Sequence, residues 1–357
     1  MKPGLFMLCF VSLVLSSCDK GEEGIIQNTD VLVIKANKHI LKSDGNDEVE
    51  FSVFLNGEEL VYGYQIICDN EPIGGRRFTT NRKGKIQCIA NYNGLVSNLI
   101  TIHSNDLIPE RPIGTGKEVK TLVSYFTWMS AYGPTNSKNW FLEIIDNDLV
   151  KDKVVFIINQ PFDNEPQCFP MRYYADLAGA NGGPFVMVNH TEPHNLVNKE
   201  EIALDILENH QRQRQDAAAL SLNSLLRGRD IISRVLVGSN NEMQYFVGAF
   251  LVENDVTING VNFDAIIRHV DIDNNKIYGH SIGTIEKGDE GEYLFVWNLD
   301  DIRTKYNASN NEWSQFVEEH LRVIAYVYSL DDKNNNSRPK YHFNNVAECD
   351  IKIRDAQ

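Results

Sequence analysis

The chain has 357 residues, 42% hydrophobic and 23% charged, proportions that suit a globular protein rather than a disordered one. Lys and Arg number 34 against 49 Asp and Glu, a formal net charge of -15, and no run of basic residues is long enough to replace phosphate counterions. Nucleic acid is therefore excluded as a partner, and the length allows two or three domains.

In chain order, Met1-Lys2 precedes an apolar run from Leu5 to Leu15 and then Leu15-Ser16-Ser17-Cys18. A basic start, an apolar stretch too short to span a bilayer and small residues before a cut describe a secretory signal. Cys at the cleavage point can carry a diacylglyceryl group and its freed amine a further acyl chain, so residues 1–17 read as a lipoprotein signal and Cys18 as the lipid attachment. Residues 18–29 are polar and contain glycine, a tether reaching about 35–40 Å when extended. The membrane is then a partner through lipid alone, because no later segment offers a spanning helix.

From Asp30 to Ser104 short alternating runs, such as Val49-Glu50-Phe51-Ser52-Val53-Phe54 and Ile86-Gln87-Cys88-Ile89-Ala90, are separated by Asn56-Gly57, Gly74-Gly75 and Asn93-Gly94. This spacing predicts a small β-sandwich over 30–105. Cys68 and Cys88 fall in two of its strands; they can form a disulfide, or remain small buried hydrophobes like Cys168 and Cys349. Two prolines and two glycines between Leu107 and Gly116 mark a linker over 106–117.

Over 118–214 the period changes. Thr121–Phe126 reads as a strand and Pro134 opens a helix. Val154–Ile158 reads as a buried parallel strand, Pro170–Leu177 as a helix, Gly183–Val188 as a turn into a strand and Lys199–Gln213 as a helix, an α/β unit. From Ala218 strands return at 231–237, 245–252, 265–270, 293–299 and 323–328, with a short helix near Trp313–Glu318, an antiparallel β domain over 215–357.

Several residue groups invite a chemical reading. Cys168 before Pro170 and Arg172 could be a lowered-pKa thiol at a helix start, or a structural cysteine. His190 and His194 have metal-like spacing, but Pro193 between them argues for surface loop histidines. Asp271-Ile272-Asp273-Asn274-Asn275 lacks the glycine and closing glutamate of a calcium loop and reads as a polar turn. No esterase, zinc-protease or phosphate-loop motif occurs, so no catalytic residue, metal or cofactor is implied.

The acidic stretch after Cys18 is similar to the surface-export signal of lipoproteins in some Gram-negative bacteria. Phe78-Thr79-Thr80, Gly84 and the strand with Ala90 resemble bacterial immunoglobulin-like modules. The strand ending at Thr127-Trp128, the helix at Pro134 and Gly183-Pro184 resemble a thioredoxin-like domain, with Pro184 in the cis-proline position. With Phe250–Asn254, Ile266-Ile267-Arg268 and Gly279–Gly283, the order of blocks resembles the family related to the twenty-eight-kilodalton outer-membrane protein of anaerobic Gram-negative bacteria.

The resemblance implies a multidomain α+β protein: an N-terminal immunoglobulin-like β-sandwich, a central thioredoxin-like α/β domain and a C-terminal antiparallel β-sandwich. Members of that family often carry Thr-Gly-x-Cys-x-x-Cys-Pro at the strand-to-helix junction; here the two cysteine positions hold Ser130 and Gly133. Thiol exchange needs a thiolate and a resolving thiol, so this motif is degenerate. Trp128 and Tyr132 beside it could present an aromatic groove to a peptide or glycan, or could pack internally. The expectation is a lipid-anchored, outward-facing outer-membrane protein that binds or adheres to protein, peptide or glycan without being an enzyme. The alternatives are a thiol oxidoreductase or isomerase working through Cys168, and a passive structural component of the envelope.

Overall fold

A computed structural model describes residues 30–113, 118–126, 134–159, 185–191, 193–196, 198–258, 261–273, 276–305, 317–331 and 340–354. The first ten strands are β1 (Leu32–Ala36), β2 (Ile40–Lys42), β3 (Val49–Leu55), β4 (Glu58–Glu59), β5 (Gln65–Cys68), β6 (Glu71–Pro72), β7 (Arg77–Phe78), β8 (Gly84–Tyr92), β9 (Leu95–Val96) and β10 (Ile100–Asn105). They form two sheets, β1-β3-β4 with β7 on β3, and β2-β10-β8-β5-β6 with β9 on β8. Alternating inward residues, among them Ile34, Phe51, Val53, Ile66, Ile86 and Ile102, close one apolar core between the sheets. Cys68 and Cys88 stand directly opposite on β5 and β8 and are joined by a disulfide, Cα–Cα 4.2 Å. Asn56-Gly57 and Asn93-Gly94 turn tightly with both residues at positive φ, which asparagine and glycine tolerate best.

The next elements are β11 (Thr121–Phe126), α1 (Pro134–Ile145), β12 (Val154–Asn159), β13 (Phe185–Val188), β14 (Pro193–Asn195) and α2 (Lys199–Asp216). Then follow β15 (Ala219–Arg227), β16 (Asp230–Gly238), β17 (Met243–Glu253), β18 (Val256–Ile258), β19 (Val261–Phe263), β20 (Ile266–Asp271), β21 (His280–Ile285) and β22 (Glu290–Asn298). The last elements are α3 (Leu299–Lys305), β23 (Leu321–Asp331) and β24 (Lys340–Arg354). The expected helix near Trp313–Glu318 falls mostly outside the described residues; α3 precedes it, and a single 3-10 turn covers Glu318–His320.

The expected multidomain α+β layout, with a central thioredoxin-like α/β domain and a separate C-terminal antiparallel sandwich, is corrected here. Strands β11 to β14 close no sheet of their own. They are one end of a twelve-stranded mixed sheet in the order β14-β13-β11-β12-β20-β17-β23-β24-β15-β16-β22, with β21 on β17. The junction is the parallel pairing of Ile158 in β12 with Ile266 in β20. The far half is not purely antiparallel either, because β15 pairs with β24 in parallel, Ser224 against Ile351. The described molecule is mostly strand, with three α-helices.

This sheet curls so that its middle is covered on both faces. Tyr245, Val247, Ala249 and Leu251 of β17 point into one core with β15, β16 and β22, whereas Phe246, Phe250 and Val252 point into another with β11, β12 and β13. Strand β23 splits the same way, Val323, Ala325 and Val327 against Ile324, Tyr326 and Tyr328. That explains why both strands read as unbroken apolar runs. Beyond β11, the helices cover a third core: Phe141, Ile144 and Ile145 of α1 and Ile202 and Ile206 of α2 pack on Val123, Tyr125, Val186 and Val188. Phe141 stacks on Tyr125 at 4.7 Å.

Buried amides tie the layers together. Asn344 is the extra residue of a β-bulge where β24 shifts register against β23. Its neighbour Asn345 accepts from Lys120 N–H (3.0 Å) and donates to Glu118 O (3.1 Å) and Ala218 O (2.9 Å). Gln213 of α2 accepts from Thr121 Oγ1 (2.8 Å) and donates to Asn344 O (3.2 Å).

Candidate functional site

Cys18, Trp128, Ser130, Tyr132, Gly133, Cys168 and Pro184 all lie outside the described residues. Of the described ends that flank 127–133 and 160–184, Phe126, Asn159 and Phe185 meet at one end of the sheet. Phe126 is in register with Asn159 on β12 and with Phe185 on β13, and the rings of Phe126 and Phe185 stack at 4.6 Å. Of the histidines read as surface loop residues, neither is one. His190 sits among Phe250, Tyr326, Tyr328 and Phe343, with Nδ1 3.0 Å from the Tyr328 hydroxyl, and burial pushes its pKa down to about 3. His194 bonds through Nε2 to Asp205 Oδ2 at 3.0 Å. Cys349, 3.2 Å from Ser224 Oγ, is pushed up to about 11 by burial, so its thiol stays protonated at neutral pH.

A group of titratable side chains among the described residues lies elsewhere, where the N-terminal sandwich packs on β15, β16 and β22. Ile40, Leu107 and Ile108 pack on Leu225, Ile232 and Leu294. The last three come one from each of β15, β16 and β22, so the contact is on the face of the sheet, and it is polar as well as apolar. His103 of β10 stands edge-on to Tyr293 of β22, ring centroids 4.3 Å apart, and Lys85 Nζ of β8 donates to the Tyr293 hydroxyl at 2.5 Å. His280 of β21 stacks on the same tyrosine at 5.1 Å and donates from Nε2 to Asp271 Oδ1 at 2.7 Å. The Trp297 indole N–H donates to the other oxygen, Oδ2, at 2.7 Å. Outside this group, Arg111 and Arg234 both pair with Glu292, and Asp106 accepts from Arg227 at 2.9 Å.

Burial sets the charges. It pushes His103 down to about 3, helped by the Lys85 charge, and lowers His39 and Lys85. It raises Tyr293, with the Asp271 and Asp273 charges adding to the effect. Burial alone would raise Asp271 too, but the hydrogen bonds and charge of His280 and the Trp297 bond outweigh it and hold the carboxyl at about 2. A carboxylate-oriented imidazole is the usual form of a general base. Here Asp271 takes Nε2 and Tyr293 covers a ring face, so the pair ties β20, β21 and β22 together. Among the described residues no group of three His, Cys, Asp or Glu is placed to hold a metal ion.

No local spacing announced this cluster, because its members come from β8, β10, β20, β21 and β22. In the structure Ile102, His103, Ser104 and Asn105 are consecutive and all buried, so both faces of β10 are covered there, which its composition does not announce.

No family model and no curated protein matches the chain. Among solved structures, HBP35 of Porphyromonas gingivalis is similar in fold, with a TM-score of 0.51 at 11% identity, over 66% of this chain and 76% of its own. A protein of Agrobacterium tumefaciens gives 0.40 at 12% identity, over 66% of this chain and 95% of its own, and red sea bream transglutaminase 0.22 at 12%, over 56% and 26%. Only the first reaches a level that shows a common fold, and at that identity no residue role transfers.

Proposed function

We propose that this chain is a lipid-anchored outer-membrane protein that binds a protein, peptide or glycan at the cell surface and performs no catalysis. The disposition of sulfur carries the reading. Cys68 and Cys88 are bridged inside the sandwich core, which suits an oxidising space outside the cytoplasm. Cys349, the free cysteine among the described residues, is held protonated and half-buried. The signal ending at Cys18 supplies the anchor, and the fold shared with HBP35 of Porphyromonas gingivalis is compatible with membership of a related envelope family. The ligand surface assigned by this reading is the segment with Trp128 and Tyr132, which follows Phe126 in the sequence.

Protease treatment of intact cells, with mass spectrometry of the released peptides, tests display: peptides from 30–354 should appear without lysis, and their absence would overturn outward display. Glycan-array or pull-down binding should be lost in Trp128→Ala with Tyr132→Ala. Binding untouched by that pair would remove the ligand from this segment.

A further inference from the structure

The described chain enters at one tip of the N-terminal sandwich. Val31 N–H donates to Asn56 Oδ1 at 2.8 Å and Asn56 N–H to Val31 O at 2.9 Å, which fixes the entry beside the β3–β4 turn. Strand β8 ends at the same tip. β1 leads away from the tip into β2, β10 runs parallel to β2, and β8 runs antiparallel to β10. Asn98, bonded to both N and O of Ile34, holds the β9–β10 segment level with β1. The crossover from β4 to β5 reaches the tip too, where a Cβ on Gly63 would come within 3.2 Å of the Tyr92 ring.

Four exposed apolar side chains gather there: Val31 (56%), Val61 (78%), Tyr62 (84%) and Val96 (62%). The other exposed apolar residues, such as Leu149, Leu204 and Ile353, are spread singly over the body, which is ordinary. A cluster on a tip stiffened by two Asn-Gly turns is not ordinary. Its surroundings carry Asp30, Glu58 and Glu59, with Glu59 neutralised by Arg76 at 2.9 Å.

We propose that this tip rests on the lipid surface that holds the N-terminal anchor, with Val61 and Tyr62 in the headgroup layer; the inference rests on the lipid-anchor reading above. The chain outside the structure gives the geometric reason. Residues 18–29 tie Cys18 to Asp30, and that length spans at most about 40 Å. The tip is thus the part of the folded chain joined most directly to the anchor. Tyrosine, with an apolar ring and a polar hydroxyl, is the side chain that settles at a membrane–water boundary. The acidic neighbours favour a neutral, zwitterionic surface over an anionic one.

The test uses the acylated protein bound to phosphatidylcholine vesicles and its unacylated Cys18→Ser form in solution, followed by hydrogen exchange and mass spectrometry. Amides over 60–64 and 92–97 should exchange about tenfold more slowly on vesicles, while α2 is unchanged. Val61→Asp with Tyr62→Asp should restore the solution rate without releasing the acylated protein from vesicles. The proposal is overturned if the acylated protein floats with vesicles while those amides keep their solution rate. It is also overturned if the unacylated protein shows the same protection rising with its own concentration, which would make a second copy the cover. A mature protein without acyl mass at Cys18 that does not float with vesicles removes the anchor reading and this one with it.

Discussion

His103 and Tyr293 meet edge to face at 4.3 Å across the boundary between the N-terminal sandwich and the large sheet. The two residues belong to strands far apart in sequence, and each is less than 5% exposed. The sandwich is therefore fastened to the body by a buried contact, not only by the linker.

Removing the shared ring should loosen that fastening. Tyr293→Ala deletes the surface on which His103, His280 and Lys85 converge, and an aromatic-to-alanine change in a core costs about 3–5 kcal/mol. Tyr293→Phe keeps the ring and loses only the Lys85 bond, about 1 kcal/mol. Limited proteolysis should show cleavage over 106–113 much faster in Tyr293→Ala than in Tyr293→Phe. Equal rates would mean that the ring does not hold the sandwich in place.

Acid should weaken the fold well before its carboxylates titrate. His103 and His190 are held at about 3 by burial, below the ordinary 6.5, so they stay neutral in the native state while the unfolded chain takes up protons. Their contribution is complete above about pH 6.5 and is lost as pH falls toward 3, at about 1.4 kcal/mol per pH unit for each histidine. Asp271, held at about 2 against 3.8, adds a loss only below about pH 4. Urea unfolding between pH 7 and 4.5 should show such a slope, with His39 and His210 adding in the same direction, and His190→Phe should reduce it. A flat profile would contradict the buried neutral state.

The amide network predicts a local asymmetry. Asn345→Ala leaves Lys120 N–H, Glu118 O and Ala218 O without their partner inside the protein and should cost about 2–4 kcal/mol in denaturant unfolding. Asn223→Ala, at a half-buried side chain bonded to Glu110 O at 3.2 Å, should cost less, about 1 kcal/mol.

The bridge makes the N-terminal sandwich redox-sensitive. Cys68 and Cys88 close a loop with a sequence separation of 20, for which chain entropy gives about 3 kcal/mol. Cys68→Ala with Cys88→Ala should melt the sandwich at lower temperature, and added reductant should then have no further effect on it. A melting temperature unchanged by both treatments would rule out that contribution.

Alternation made the small sandwich readable: Val49, Phe51 and Val53 point inward and Glu50 and Ser52 do not, a period of two that needs no tertiary knowledge. The unbroken runs of β17 and β23 were equally plain, though nothing local says that they lie between two cores. Strand β24 was missed because Asn344, Asn345, Glu348, Asp350 and Lys352 give it a polar composition, and its asparagines serve an internal network that composition cannot reveal. The error in fold class has the same origin. Residues 118–214 do read as strands and helices, but the pairing of Ile158 with Ile266 joins segments whose sequences carry no mark of each other. The titratable cluster was hidden likewise: Asp271 showed only as part of a poor calcium loop, and Lys85 and His103 showed no signal of their own.

The placement of β24 between β23 and β15 has a kinetic meaning. Until residues 340–354 arrive, the portion bearing β15, β16 and β22 has, among the described residues, no backbone ladder to the portion bearing β17 and β23. Non-local closure of this kind is slow, and the uncapped strands stay open to wrong partners meanwhile. A nascent chain halted before residue 340 should therefore be a substrate for holding chaperones and not a half-built native core.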